Sequence, residues 1–279
     1  MATGLEIITL CENTAGGGGT LGEHGLSLLI RYCGRQFLFD TGAGATLLHN
    51  AKVMDLDLGE VDAVLLSHGH YDHTGGLLDL VKAIGSVDVY GHPEIFGAKH
   101  SLREGKAKYT GIPASQAELV AAGARFHLHK DFMEVFPGVW LTGEIPRTTT
   151  FEEAEESFYL RTAEGFVPDP VLDDQSLVLN TSRGLVVVLG CAHAGVVNIL
   201  RHITNMFPRR SIYAVLGGTH LRSSSQERIN LTVEAFQKLD IQHVEVIHCT
   251  GFAASVAFAV AFGSRFSPGQ VGQVFRLED

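Results

Sequence analysis

The sequence predicts an α/β fold in which sheet is layered between helices. Three observations predict it. Short β-branched or apolar runs recur, each followed by a Gly-rich or polar turn. Stretches with helical periodicity lie between some of these runs. The first half is rich in strands and hairpins, whereas the last third alternates helix and strand. No internal period of ~20–50 residues is present, which argues against a solenoid.

The elements follow in order. Leu5 to Leu10 opens as a strand. Leu26 to Tyr32 (LSLLIRY) and Arg35 to Phe39 (RQFLF) flank a Cys-Gly turn and read as a hairpin. Val61 to Leu66 (VDAVLL) is a strand that ends at a polar cluster. Further strands are expected at Val87 to Tyr90, Arg125 to His129, Val139 to Thr142, Ser176 to Asn180, Leu185 to Leu189, Tyr213 to Leu216 and His243 to Ile247. Helical periodicity marks Leu77 to Ile84, Ser115 to Ala122, Val196 to Met206, Gln226 to Lys238 and Ala253 to Phe262. The acidic run Glu152 to Glu156 reads as a solvated helix face. The stretch Arg161 to Asp174 reads as a loop inserted near a site.

The chain has 279 residues, and at roughly 150 per domain that allows one large domain or two small ones. No Pro/Ser linker divides it, so a single domain over 1–279 is expected. Charged residues are 19%, below the usual quarter or so, which favours a large interior. Lys and Arg total 21 against 31 Asp and Glu, a net charge of -10. That balance argues against nucleic acid and against an anionic membrane surface as partners. Phe252 to Gly263 is well short of the ~20 apolar residues a membrane span needs. The start, MATGLEIITL, has neither the basic residues nor the A-x-A site of a secretory signal. Cys11, Cys33, Cys191 and Cys249 form no C-x-x-C pair and read as reduced thiols in a cytoplasmic protein. The Phe-rich tail FAASVAFAVAFGSRF reads either as core or as the face of a homo-oligomer.

The decisive segment is Ser67-His68-Gly69-His70-Tyr71-Asp72-His73-Thr74-Gly75-Gly76. Four potential metal ligands fall within six positions, after an apolar strand and before a helix. In an extended stretch residues two apart point the same way, so His68 and His70 can grip one ion. The chain then turns, and Asp72 and His73 can face a neighbouring position. Three crowded imidazoles repel when protonated and are costly to bury without partners. A divalent cation removes both problems, because neutral imidazole and carboxylate are its ligands.

This H-x-H-x-D-H spacing resembles the signature of the metallo-β-lactamase superfamily. Phe39-Asp40-Thr41-Gly42 stands where that superfamily has a strand ending in Asp-x-Gly. The resemblance gives Asp40 the role of orienting a metal ligand, and a metal-bound His does need a partner for its other nitrogen. Within the superfamily the chain is similar to a subgroup, the proteins like the archaeal 7,8-dihydropterin-6-methyl-4-(β-D-ribofuranosyl)aminobenzene 5'-phosphate synthase. The matching segments are EHGLS at 23–27, SHGHYDHTGGL, TGEIPR at 142–147, DDQS at 173–176, GCAHAG at 190–195, GGTHL at 217–221 and HCTG at 248–251.

The resemblance implies an αββα sandwich of two mixed sheets flanked by helices. It also implies two divalent metal ions; the His-rich ligation makes zinc the first expectation, with iron or manganese as alternatives. The implied ligands are His68, His70, Asp72 and His73, joined by His193 after the strand LVVVLG and His248 after VEVIH. His220 reads equally as a ligand or a proton-transfer residue. Cys191 stands where the superfamily has a bridging Asp, and reads as a thiolate ligand or a small buried thiol. Asp174 is a candidate for metal or substrate. The implied activity is hydrolysis or group transfer on a phosphorylated or pterin-like small molecule, with Asp72 or His220 moving the proton. His24, in the glycine-rich AGGGGTLGEHG, and Arg147 are further candidates for substrate binding. That glycine run lacks the G-x-x-x-x-G-K-[ST] of a P-loop. Lys99 to Lys108 (KHSLREGKAK) reads as a solvated face or a phosphate contact. The remaining histidines, His49, His92, His100, His127, His129, His202 and His243, read as surface or capping residues. The competing class is a non-catalytic sensor or ligand-binding protein of the same fold, which a metal shell with no open position would favour. A two-iron redox scaffold would need an electron-delivering domain, for which the chain has no room.

Overall fold

The computed structural model describes residues 4–153 and 155–278; Met1 to Thr3 of the opening run, Ala154 of the acidic run and Asp279 lie outside the described residues. The chain opens with β1 (Leu5–Cys11), then the hairpin β2 (Ser27–Tyr32) and β3 (Arg35–Phe39). Its turn, Cys33-Gly34, takes positive φ at both residues. Next come α1 (Leu47–Val53), β4 (Ala63–Leu65), the one-turn α2 (Tyr71–Thr74), α3 (Leu77–Ile84) and β5 (Val87–Gly91). The hairpin β6 (Lys99–Arg103) and β7 (Lys106–Tyr109) leads to α4 (Gln116–Ala122), β8 (Ala124–Leu128), β9 (Met133–Phe136) and β10 (Val139–Leu141). A third hairpin, β11 (Phe158–Thr162) and β12 (Gly165–Pro168), precedes β13 (Leu177–Thr181), β14 (Gly184–Leu189) and α5 (Val196–Met206). The chain closes with β15 (Ile212–Gly218), α6 (Gln226–Lys238), β16 (His243–Ile247), α7 (Phe252–Phe262) and β17 (Val274–Leu277).

These elements cluster into two compact units, one of residues 4–130, 155–173 and 270–278, the other of 131–153 and 174–269. The first holds a seven-stranded sheet ordered β17-β1-β2-β3-β4-β5-β8. Its first four strands pair antiparallel and its remaining pairings are parallel, so the sheet is mixed. Leu77, Leu80 and Val81 of α3 and Leu119 of α4 pack with Leu38, Val64 and Val89 of the strands. A smaller antiparallel sheet, β12-β11-β6-β7, completes this unit.

The second unit carries a six-stranded mixed sheet ordered β16-β15-β14-β13-β10-β9. Only β14, β15 and β16 run parallel. Every residue of β14 (GLVVVL) is buried, as expected of a strand covered on both faces. Ile199 and Ile203 of α5, Phe236 of α6 and Phe258 of α7 share its core. Helix starts follow local chemistry. Ser115 and Glu118 form a reciprocal capping box on α4, and Ser225 caps α6. Among the described residues no helix is long and apolar enough to cross a membrane.

Three segments differ from the sequence reading. The charged stretch 99–108 is the β6–β7 hairpin, and Lys99 is buried rather than solvated. The expected loop over 161–174 contains most of the β11–β12 hairpin, which pairs with β6. Glu152, read as part of a solvated face, is buried and accepts hydrogen bonds from the backbone N–H groups of Val197 and Asn198 at 2.7 and 2.8 Å. A carboxylate there satisfies the first turn of α5, whose N-cap Gly195 offers no side chain. The Phe-rich tail divides between two surroundings: Ala254, Phe258 and Phe262 are core, while Phe252, Val256 and Val260 on α7 are exposed.

Candidate metal centre

In the first unit the donors sit on the turn that leaves β4. His70 is still extended, with φ -74° and ψ 149°, and caps the one-turn α2 that carries Asp72 and His73. Between the first two histidines, a Cβ on Gly69 would fall 2.0 Å from the Ile95 carbonyl oxygen, so only glycine lets the loop pass. His68 Nε2 lies 3.0 Å from His70 Nδ1, and the His68 and His73 ring centroids are 4.2 Å apart. All three rings are buried.

Asp40 organises this cluster. It is fully buried and adopts φ 61°, a left-handed backbone that Asp tolerates better than most residues. Its Oδ2 is 2.6 Å from His73 Nδ1, and its Oδ1 accepts the Ser67 backbone N–H at 2.7 Å. The Ser67 hydroxyl donates to Asp40 Oδ2 at 2.6 Å and lies 2.9 Å from His68 Nδ1. A hydroxyl has one proton, so with that proton on the carboxylate the His68 Nδ1–H donates to Ser67. Both His68 and His73 are thereby held as tautomers whose lone pair is on Nε2, the state a metal ligand needs. Zn–N bonds of about 2.0–2.1 Å place two tetrahedral ligands ~3.3 Å apart, close to the His68–His70 separation. The donor set fits a divalent cation. Asp72 is buried and its Oδ2 is 3.2 Å from Nε2 of half-exposed His24.

A buried charge network braces the same turn. The Gly69 N–H donates to Asp173 Oδ2 at 2.7 Å, and Asp173 Oδ1 takes the Lys99 ammonium at 2.7 Å. Asp169 takes the same ammonium at 3.1 Å. Burial opposes the Lys99 charge, but the two carboxylates outweigh it and push its pKa above the ordinary lysine value. Sequence reasoning does not reach this role, because Asp169 and Asp173 stand some seventy residues from Lys99.

In the second unit the donors lie at the carboxyl ends of three adjacent parallel strands. Leu189 of β14 is level with Gly217 of β15, and Gly218 is level with Ile247 of β16. The loops beyond these ends therefore meet, as at ligand sites of open α/β sheets generally. They bring Cys191, His193 and His220 donor atoms within 4.8 Å of one another, and likewise Cys191, His248 and Cys249. The His193 and His220 ring centroids are 4.3 Å apart. Each loop contains a non-glycine residue at positive φ: Ala192 at 58°, His220 at 52° and His248 at 54°. A left-handed backbone at a non-glycine residue is uncommon and fixes the direction in which each of these loops leaves its strand. Arg147 Nη1 donates to the His193 carbonyl at 3.0 Å, and Asp174 Oδ2 accepts the Ala194 N–H at 2.9 Å. These two expected substrate contacts are thus placed against the His193 turn. Burial pushes the Cys249 thiol up, but hydrogen bonding with Cys191 and His220 and the fields of His248 and His220 outweigh it and hold it below the ordinary cysteine value. Sequence reasoning does not single out Cys249; its place beside His248 in HCTG is the available signal.

Mixed α/β sheets flanked by helices, with His, Asp and Cys donors gathered at strand ends, define an α/β fold that carries candidate metal-binding clusters. A family model described as the metallo-beta-lactamase superfamily matches residues 21–202, and the chain belongs to that superfamily. A relative in Methanocaldococcus jannaschii, 7,8-dihydropterin-6-methyl-4-(beta-D-ribofuranosyl)-aminobenzene-5'-phosphate synthase, is 31% identical over 98% of this chain and 97% of its own. The crystal structure of Tm1679, a metal-dependent hydrolase of the beta-lactamase superfamily, matches with TM-score 0.86 and 31% identity over 99% of this chain and 100% of that one. YhfI from Bacillus subtilis, a metallo-beta-lactamase fold protein, shares the fold at TM-score 0.59 and 12% identity, over 99% of this chain and 100% of its own.

Proposed function

We propose that the protein is a metal-dependent hydrolase or transferase that acts on a phosphorylated or pterin-like small molecule, with two divalent cations, zinc first among them, as cofactors. The observation that carries this reading is the buried His68–His70–His73 cluster oriented by Asp40. The substrate class rests on the synthase relative, whose name contains both a pterin and a phosphate. His68, His70, Asp72 and His73 are the proposed ligands of the first unit, His193 and His248 those of the second. A bound cation supplies Lewis-acid polarisation of a phosphoryl or carbonyl oxygen and acidifies water.

The chain's own groups do the rest. Asp40 fixes the ring tautomers. Asp72 Oδ2, in contact with half-exposed His24, is the proposed proton carrier, with a path to solvent through that imidazole. His220 is the other candidate for proton transfer. Arg147 and Asp174 are proposed to face the substrate as well as to hold the His193 turn, so replacing either is expected to disturb both functions.

The test is metal analysis of the purified protein together with turnover on phosphodiester, pyrophosphate-ester and pterin substrates. Divalent metal with turnover of at least one substrate supports the proposal. His68→Ala/His70→Ala should lose metal while keeping its far-ultraviolet circular dichroism; full metal retention refutes the ligand assignment. Metal without turnover of any substrate favours the sensor reading, which the gathering of five donors in the second unit makes a specific competitor.

A further inference from the structure

We propose that Cys249 and Cys191, together with His248, hold a metal ion through sulfur, so that the second unit provides a cation position with two thiolate ligands. This rests on the metal-dependent reading above and specifies the chemistry of one of its positions.

Four observations carry it. First, the Cys191 and Cys249 sulfurs and a His248 ring nitrogen lie within 4.8 Å of one another. A tetrahedral ion with Zn–S of about 2.3 Å and Zn–N of about 2.0–2.1 Å needs its donors roughly 3.5–3.8 Å apart. Small side-chain rotations close that gap. Second, all three residues are buried and each stands just beyond the end of a strand in the parallel part of the sheet. The donors are thus placed by rigid elements. Third, the backbone makes room for this sulfur. A Cβ on Gly218 would fall 2.6 Å from Cys249 Sγ, and the His220 backbone N–H donates to that sulfur at 3.2 Å. The His220 N–H makes this sulfur an acceptor, as a ligating thiolate is, while as a thiol it also reaches the Cys191 carbonyl oxygen at 3.6 Å. Fourth, Cys11 supplies the contrast. It is equally buried, but its sulfur meets the Thr46 hydroxyl at 3.3 Å, and among the described residues it belongs to no donor cluster.

The chemical consequence is selectivity. Two thiolates balance the charge of a divalent cation, and soft sulfur ligands favour zinc, iron or cadmium over magnesium, calcium or manganese. The imidazole and carboxylate set on the His68 turn has a weaker preference of this kind. The same chain would then offer two donor sets of different softness.

The experiment is to produce the full chain in cobalt-supplemented medium and record its absorption. Sulfur-to-cobalt charge transfer gives a near-ultraviolet band that nitrogen and oxygen ligands do not. The band is expected in the wild-type protein, weakened in Cys249→Ser and in Cys191→Ser, absent in the double variant and unchanged in Cys11→Ser. X-ray absorption of zinc bound to the wild-type chain is the check that needs no variant, and should show scattering at the Zn–S distance of about 2.3 Å. Bound cobalt without the band, a band indifferent to Cys249→Ser, or a Cys191–Cys249 disulfide in the metal-loaded protein overturns this inference alone. A wild-type chain that takes up no cobalt and no zinc overturns the metal-dependent reading as well.

Discussion

Replacing Lys99 by Met leaves two buried carboxylates, Asp169 and Asp173, without the ammonium that now sits 3.1 and 2.7 Å from them. None of the three side chains is more than 2% exposed, so water cannot take the place of the cation. Removing one partner of a buried ion pair costs about 3–5 kcal/mol, because the remaining charge stays buried. For a protein of this size each kcal/mol shifts the melting temperature by about 2–4 °C, so a fall of roughly 6–20 °C is expected. The deficit should also depend on pH. Burial, and secondarily Asp169, already raise the Asp173 pKa, against the lowering effect of Lys99. In the variant that opposition is gone and the pKa rises further. A carboxyl whose folded pKa exceeds the unfolded value of about 3.9 destabilises the fold at higher pH, and the cost disappears once it is protonated in both states. The deficit is therefore full at neutral pH and shrinks as the solution is acidified. Urea denaturation of wild type and Lys99→Met across that range measures it. A loss under about 1 kcal/mol, or one independent of pH, would refute the argument that this triad is a desolvated ion pair.

Asp40→Ala should weaken metal affinity by ~10–100-fold, read by competition with a chromophoric chelator; an unchanged affinity would reduce Asp40 to a turn residue. Gly69→Ala places a methyl group 2.0 Å from the Ile95 carbonyl oxygen and should cost about 1–3 kcal/mol in urea denaturation, with reduced metal content because His68 and His70 flank it. A variant as stable and as metal-rich as wild type would contradict the close approach. Asp88 is held at about 2, chiefly by hydrogen bonds from Arg125 and His127. A depressed folded pKa stabilises above the unfolded value of about 3.9 and stops doing so as pH falls towards 2. Asp88→Asn should thus cost at most about 1 kcal/mol at neutral pH, the pair being partly exposed, and the two urea midpoints should converge in acid. A gap that widens on acidification would reverse the assigned sign.

Sequence by itself determined whatever short-range pattern can specify. The β3, α3, α5, α6 and β16 segments appear with the boundaries expected, because their apolar periodicity already matches one buried face. The His68–His73 turn was legible for the same reason: its donors are close in sequence, so spacing alone brings them together. Tertiary structure decided everything carried by distant pairing. The polar β6–β7 and β11–β12 hairpins are strands because they pair with one another, and β17 is one because it pairs with β1 from the opposite end of the chain. Lys99 is buried only because Asp169 and Asp173 arrive from some seventy residues away. Cys249 meets Cys191 only through the parallel register of three strands. Local periodicity has no access to such partners, since desolvating charges, sulfurs and backbone groups costs free energy that only pairing between separated segments offsets.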